Sequence, residues 1–313
     1  MPFTYADVEQ AAHRIAGRIR PLSTARADPA GPVFFALEFL QFTGTFKARG
    51  AQNFVRAHAE TGALPAAGLT IASGGNAGLA CAWAAASAGV PATVFLPETA
   101  PPVKIARLRE LGAEVRFGRD YPAAAAACRE FAAASGALAS HAYDHPLIAA
   151  GAGTLTRELL AAVPGIDTVL VAVGGGGLFA GTAVAARHHG VRTVAVEPKG
   201  CATLHAALAA GAPVEVPVDS VAADSLGAPI VSQTAYELAT DPSVSSVVLD
   251  DEAIVTARRA LWDRHRIAVE HGAATAYAAL LDGPDGPAYR PAADERVAVI
   301  LCGANTDPAT LTG

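Results

Sequence analysis

Four short segments pair chemistry-bearing residues with the end of an apolar run. The first is Glu38-Phe39-Leu40-Gln41-Phe42-Thr43-Gly44-Thr45-Phe46-Lys47-Ala48-Arg49-Gly50, in which Lys47 follows an apolar strand and an aromatic residue and opens a stretch that continues as a helix. A lysine held partly out of water has a lowered pKa, because burial disfavours its charged form, and its amine becomes available as a nucleophile. On residue type alone the plainer reading, a surface lysine at a strand end, is the commoner one. The second segment, residues 71–78, runs Ile-Ala-Ser73-Gly74-Gly75-Asn76-Ala77-Gly78. Its glycines allow a tight turn, and a helix start offers unpaired N–H groups to an anion. Ser73 and Asn76 add side-chain donors, although an ordinary capped strand-to-helix turn has the same wording.

The third segment places Gly174, Gly175, Gly176 and Gly177 between a buried strand and the helix that opens at Leu178. Consecutive glycines there are a strong phosphate-cradle signal. A dinucleotide site prefers G-x-G-x-x-G with an acidic residue roughly twenty positions later. Glu197 sits at about that distance and keeps a nicotinamide reading open, whereas the absence of a Walker lysine argues against a nucleotide triphosphatase. The fourth segment ends the strand at 297–301 with Cys302-Gly303-Ala304-Asn305. A free cysteine in such a place is most often a small buried hydrophobe.

The elements that must position these residues alternate. Strands are predicted at 33–37, 69–72, 92–96, 114–117, 168–173, 193–196 and 297–301, and helices at 78–88, 103–111, 121–135 and 178–188. An amphipathic helix is predicted within 1–20 from the spacing of Val8, Ala11, Ala12, Ile15 and Ile19. This rhythm predicts an α/β fold with parallel sheet covered on both faces, where ligands bind beyond the carboxyl ends of the strands. The Pro- and Gly-rich tract 283–291 reads as a surface loop.

Composition narrows the partners. Of 313 residues 52% are hydrophobic and only 17% charged, which describes a packed globular chain. A net charge of −6 with no Lys/Arg cluster gives a nucleic-acid backbone nothing to bind. Cys81, Cys128, Cys201 and Cys302 are scattered, with no metal or disulfide spacing. The N-terminus lacks the apolar core of a secretory signal, and no apolar run is long enough to span a bilayer. A small-molecule protein of the cytoplasm is expected.

In this order, the four segments resemble the fold-type-II pyridoxal-phosphate (PLP) family, which includes threonine and serine dehydratases, serine racemase and cysteine synthase. The dehydratase branch fits best. The lysine motif is matched at Glu38, Gln41, Thr43, Gly44, Phe46, Lys47, Arg49 and Gly50, while Phe39 and Phe42 replace residues usually polar. The Ser-x-Gly-Asn loop is matched at Ser73, Gly75 and Asn76, the glycine cradle in full, and the terminal Cys/Ser-Gly-x-Asn at Cys302 to Asn305. The resemblance runs from about Tyr5 to Asn305.

That resemblance implies two parallel-rich, open twisted sheets flanked by helices. They would lie in a large domain (1–46 and 150–313) and a small domain (47–149), with PLP between them, in a homodimer. Lys47 would carry PLP as a Schiff base and act as general base. Phe46, Asn76, the glycines from Gly174 to Gly177, Leu178 and Cys302 would complete the cofactor site. Asn76 would bond the ring hydroxyl and Cys302 would face the pyridine nitrogen. Ser73, Gly74, Gly75, Asn76 and Ala77 would receive the substrate carboxylate. Glu270 matches a family glutamate near the site, although a solvated helix charge reads as well. Glu197 matches one ligand of a divalent-cation site whose later acidic position here is Thr203. No metal ligand set is assigned, and a monovalent or divalent cation stays open.

A thiol cannot keep the pyridine nitrogen protonated as a carboxylate would, so loss of a β-leaving group is favoured. The expected activity is that of a PLP-dependent lyase: dehydration and deamination of L-threonine and/or L-serine to a 2-oxo acid and ammonia. 3-Hydroxyaspartate is an alternative substrate. Racemases of the family carry a second serine where this chain has Gly74, which cannot donate a proton. Cysteine-synthase-like β-replacement ranks lower, and a nicotinamide oxidoreductase leaves Lys47 unexplained. Phe42 and residues 225–229 are candidates for the wall that senses the substrate side chain.

Overall fold

A computed structural model of the chain describes residues 3–283 and 286–311. In its first half lie β1 (Thr24–Arg26), β2 (Val33–Ala36), β3 (Leu69–Ile71), β4 (Ala92–Pro97), β5 (Glu114–Gly118) and β6 (Leu138–Ala139). β7 (Thr168–Ala172), β8 (Arg192–Pro198), β9 (Val244–Leu249) and β10 (Val297–Ile300) follow. They form two sheets, one in the order β1-β2-β10-β7-β8-β9 and one in the order β5-β4-β3-β6. Every neighbouring pair is parallel except β1 with β2. β7 and β10 are buried at every position, as expected of central strands covered by helices on both faces.

The helices are α1 (Tyr5–Ile15), α2 (Lys47–Glu60), α3 (Asn76–Ser87), α4 (Pro102–Glu110), α5 (Tyr121–Ser135) and α6 (Pro146–Ala162). The second half adds α7 (Gly177–His188), α8 (Thr203–Ala210), α9 (Ala223–Leu226), α10 (Gln233–Ala239), α11 (Asp251–His265) and α12 (His271–Ala278). None of the described helices is long and apolar enough to cross a membrane. The fold is the mixed α/β architecture with parallel-rich sheets that the alternation predicts.

Some boundaries differ from the periodicity. α1 buries Val8, Ala11 and Ile15 but stops at Ile15, before a turn in which Gly17 takes a φ of 71°. The loop at 283–291 lies partly outside the described residues. Each sheet has its own apolar core, one built on β7, β8 and β10 and one on β3 and β4. Helices α2 and α6 cross between the two cores almost backbone to backbone: a Cβ on Gly50 would lie 2.7 Å from the Ile148 carbonyl oxygen, and one on Gly151 2.7 Å from Gly50 Cα. That crossing fixes α2, whose first residue is Lys47, against α6.

Candidate functional site

The segment before α2 is stitched to the end of β10. Phe39 N–H donates to the Leu301 carbonyl, Phe46 N–H to Cys302 and Ala304 N–H to Gly44, each at 3.0 Å, and Thr45 bridges Gly303. These bonds bring Lys47, the first residue of α2, beside Cys302. Lys47 Nζ donates to the Ala142 carbonyl at 2.6 Å and lies 4.9 Å from the centre of the Phe46 ring. Burial pushes its pKa down from 10.5 to about 8, against the opposing pull of Cys302 and Glu270. About a tenth of the amines is therefore neutral at pH 7, far more than for an exposed lysine. Burial, reinforced by Glu270, pushes the Cys302 thiol well above its ordinary value, so it stays protonated.

Asn76 opens α3, which follows β3, and its side chain is held from both ends. Nδ2 donates to Glu270 at 2.9 and 3.1 Å, while Oδ1 accepts from Asn305 Nδ2 at 2.8 Å. Asn305 Nδ2 also donates to the Thr43 carbonyl at 2.9 Å. Thr43 holds that carbonyl in place from a left-handed backbone, φ 61°, which is rare for a β-branched residue. Glu270 is buried at the start of α12, and burial raises its pKa to about 7, opposed by the Asn76 hydrogen bond. Asn305→Ala removes a donor from the Thr43 and Asn76 oxygens at once. It is expected to cost about 1–2 kcal/mol, the net worth of two part-buried hydrogen bonds. Urea unfolding checks this: the midpoint falls at unchanged slope, and an unchanged midpoint would show that neither oxygen depends on Asn305.

The glycine run ends β7 and opens α7. Gly176 is the N-cap, with φ 93° and no side chain to cap the helix, so the first amides of α7 lack a side-chain acceptor. Side chains are excluded here: a Cβ on Gly175 would lie 2.4 Å from the Tyr143 ring, and one on Gly176 2.4 Å from Ala235 Cβ. α3 likewise starts at a glycine, Gly75, with no side-chain cap. A narrow cavity of about 40 Å³ is lined by Phe46, Lys47, Asn76, the four glycines, Leu178, Glu270 and Cys302. Lys47, Asn76, Tyr143, Gly175 and Ser225 also line an open cleft of about 630 Å³. Ser73, Gly74, Gly75 and Ala77 face only that cleft.

Three residues fall elsewhere. Glu197 accepts the Leu204 and His205 amides at 2.8 Å each, capping α8, and burial raises its pKa to about 7 against those bonds. Thr203 reaches the loop from behind, donating to the Gly174 carbonyl at 2.7 Å. Among the described residues no group of three or more His, Cys, Asp or Glu is placed to hold a metal ion. Phe42 does not line the cleft: it stacks on Trp83 at 4.9 Å under Arg20, because the chain turns through Thr43 between Phe42 and Lys47. Residues 225 and 227–229 do line it. Sequence reasoning missed Tyr143 and the position of Asn305 against Asn76. The signal for Tyr143 is weak, an aromatic three residues ahead of the Pro146 that opens α6.

A family model described as pyridoxal-phosphate dependent enzyme matches residues 18–303. The chain is 39% identical over 254 residues to the L-threonine ammonia-lyase of Geobacter sulfurreducens, covering 80% of this chain and 63% of that one. It therefore spans less than two thirds of the length of that relative. It is 37% identical over 284 residues to the phenylserine dehydratase of Ralstonia pickettii, covering 90% and 85%. Among solved structures, maize serine racemase superposes with a TM-score of 0.88 at 28% identity, over 99% of this chain and 96% of that one. The match takes in every segment from the Lys47 turn to Cys302, and the fold agrees with it: the chain belongs to the pyridoxal-phosphate-dependent enzyme family.

Proposed function

We propose that this chain is a PLP-dependent lyase that dehydrates and deaminates a β-hydroxy amino acid, L-threonine or L-serine, to a 2-oxo acid and ammonia. The observation that carries the reading is the meeting of three groups on one cavity: a lysine amine with a lowered pKa, an uncapped glycine-walled helix start and a protonated thiol. This donor set fits PLP, with amides of α7 for the phosphate, Lys47 for the aldehyde, Asn76 for the ring hydroxyl and Cys302 for the ring nitrogen. Phe46 and Leu178 would border the ring. When bound, PLP supplies the electron sink that acidifies the Cα proton. Relatives named L-threonine ammonia-lyase and phenylserine dehydratase support elimination.

The chain's own residues would divide the work as follows. The start of α3, with Ser73, Gly74, Gly75, Asn76 and Ala77, binds the substrate carboxylate through backbone N–H groups. Asn76, clamped by Glu270 and Asn305, orients the bound ring. Lys47 Nζ takes the Cα proton as general base. Cys302 adds no negative charge opposite the ring nitrogen, which favours departure of the β-hydroxyl over return of the proton. Gly74 bears on the racemase reading: a Cβ there would lie 2.7 Å from Cδ2 of Leu96, which is fully buried. A serine at 74 would need the Leu96 side chain to shift, and Gly74 itself has no proton to give.

The test is release of 2-oxo acid from a panel of L- and D-β-hydroxy amino acids. Formation of D-serine from L-serine without any 2-oxo acid would sink the reading. Cofactor capture gives a second check, because only the neutral amine attacks an aldehyde. With a pKa of about 8 for Lys47, the rate of PLP uptake by the unloaded protein is expected to rise roughly tenfold per pH unit below pH 8 and level off above it. A rate still climbing tenfold between pH 9 and 10 would mean that Lys47 is not buried as described.

On the same reading, residues 47–149 form the small domain and 1–46 with 150–313 the large one, each built on one sheet. A homodimer is proposed from the family resemblance, and light scattering in solution tests it. A cytoplasmic setting is proposed because all four cysteines are free and buried.

A further inference from the structure

The loop between β6 and α6 reaches both Lys47 and the glycine cradle through two adjacent residues. Ala142 turns its carbonyl to Lys47 Nζ at 2.6 Å, and Tyr143 lays its ring on Gly175. The three atoms nearest to a Cβ built on Gly175 all belong to that ring, at 2.4 to 2.5 Å. Gly175 has no positive φ, unlike Gly176 at 93°, so the ring and not the backbone excludes a side chain there. The Tyr143 main chain closes on the start of α7: a Cβ on Gly177 would lie 2.8 Å from its carbonyl oxygen. The Tyr143 hydroxyl donates to the Ile230 carbonyl at 3.2 Å, beyond α9, and burial raises its pKa so that it stays a donor. The loop is itself held at its start and within. Ser140 N–H donates to the Thr70 carbonyl of β3 at 2.8 Å, and the Tyr143 and Asp144 amides donate to His141 Nδ1 at 3.3 and 2.8 Å.

We infer that Tyr143 is a positioning residue, which fixes the glycine cradle at one distance from the Lys47 amine. The inference rests on the reading above for the cofactor and adds what keeps the two halves of its site in register. A ligand with an aldehyde at one end and a phosphate at the other gains from both contacts only where their spacing matches it. Tyr143 gives no group to the reaction. It acts through Gly175 and Gly177.

The test compares capture of PLP with capture of pyridoxal by the unloaded protein, each read from the absorbance of the lysine adduct. Pyridoxal has the aldehyde without the phosphate, so the ratio of the two affinities reads the cradle and its spacing. Tyr143→Ala should lower that ratio about tenfold, part of the gain that linking two contacts gives. Tyr143→Phe keeps the ring and should lose no more than severalfold. Gly175→Ala drives a methyl into the ring and should also lose about tenfold. With the ring gone that methyl is no longer opposed, so the double variant Tyr143→Ala with Gly175→Ala should stay near a loss of about tenfold, where independent effects would reach about a hundredfold. Should Gly175→Ala fail to fold, recovery of folded protein in the double variant supports the same contact. A merely structural tyrosine would lower the melting temperature and leave the ratio alone. Losses that multiply, or a ratio unchanged in either single alanine variant, overturn the inference. Capture needs no turnover, so the two readings fail separately. The expected ratios with no 2-oxo acid from any substrate sink elimination alone, and 2-oxo acid released by a Tyr143→Ala protein with a wild-type ratio sinks this inference alone.

Discussion

Lys47→Ala is expected to abolish 2-oxo-acid release and to remove the visible absorption band of the PLP-loaded protein, without unfolding it. Loss of the general base alone costs roughly 10²–10⁴-fold, and loss of the only covalent anchor adds to it. The fold should not suffer, because the ammonium form of Lys47 is disfavoured where it sits: burial lowers its pKa to about 8. At pH 7 the wild-type side chain is held against that preference, which offsets the bond to the Ala142 carbonyl and the contact with the Phe46 ring that the variant forfeits. The melting temperature of the unloaded variant should therefore match or exceed that of the unloaded wild type. Lys47→Arg is the companion variant. Arginine keeps the positive charge and cannot lose its proton, so it should be as inactive as alanine. Visible absorbance retained in Lys47→Ala, or activity above a hundredth of wild type, would remove Lys47 from the role assigned to it.

How much of this was legible in the sequence depends on whether the determinants are local. The central strands were, because a parallel sheet buried on both faces needs unbroken runs such as Val169–Val173, and the glycine turn that follows shows in the same few residues. Edge strand β9 was not: its Val244, Ser245, Ser246 and Val247 are half-buried or exposed, so no apolar run marks it. Helix α2 announced its start but not its buried face, since it buries Arg49, Gln52 and Asn53 beside Phe54 and Val55, and a polar inward face erases the apolar periodicity. The clamp on Asn76 joins residues 194 and 229 positions away, a distance over which one sequence carries no pattern. Phe42, a candidate for the site wall, stacks on Trp83 instead, because the left-handed Thr43 turns the chain between Phe42 and Lys47.

Arg49→Met is expected to destabilise the fold by about 3–5 kcal/mol, and more so at pH 8 than at pH 5.5. Arg49 is fully buried, and its guanidinium bonds Glu38 at 2.6 and 3.0 Å, Glu158 at 2.7 and 3.1 Å and Thr154 at 3.1 Å. Burial opposes its charge, and the two carboxylates outweigh that opposition. The cluster ties the turn before Lys47, the first turn of α2 and helix α6 into one unit, which is why it bears on the site without touching it. Glu38 is 1% exposed, so removing Arg49 strands a carboxylate in the interior, the case in which breaking a buried pair costs most. The pH dependence follows from the sign. Burial already raises the Glu38 pKa in the intact protein, and without Arg49 it rises further. A group whose folded pKa is raised loses its contribution as pH climbs through that value, so the variant is rescued in acid, where Glu38 takes up a proton, and penalised in base. Replacing the partner as well, in Glu38→Leu with Arg49→Met, should recover most of the loss, since an apolar pair can substitute for a buried ionic one. Glu158 remains in that double variant but reaches water with 27% of its side chain exposed, so it is not stranded. Urea unfolding at both pH values distinguishes the cases. A loss below 1 kcal/mol that is equal at pH 5.5 and pH 8 would mean that the pair is worth no more than a surface ion pair and that the turn carrying Lys47 is held by the β10 stitching alone.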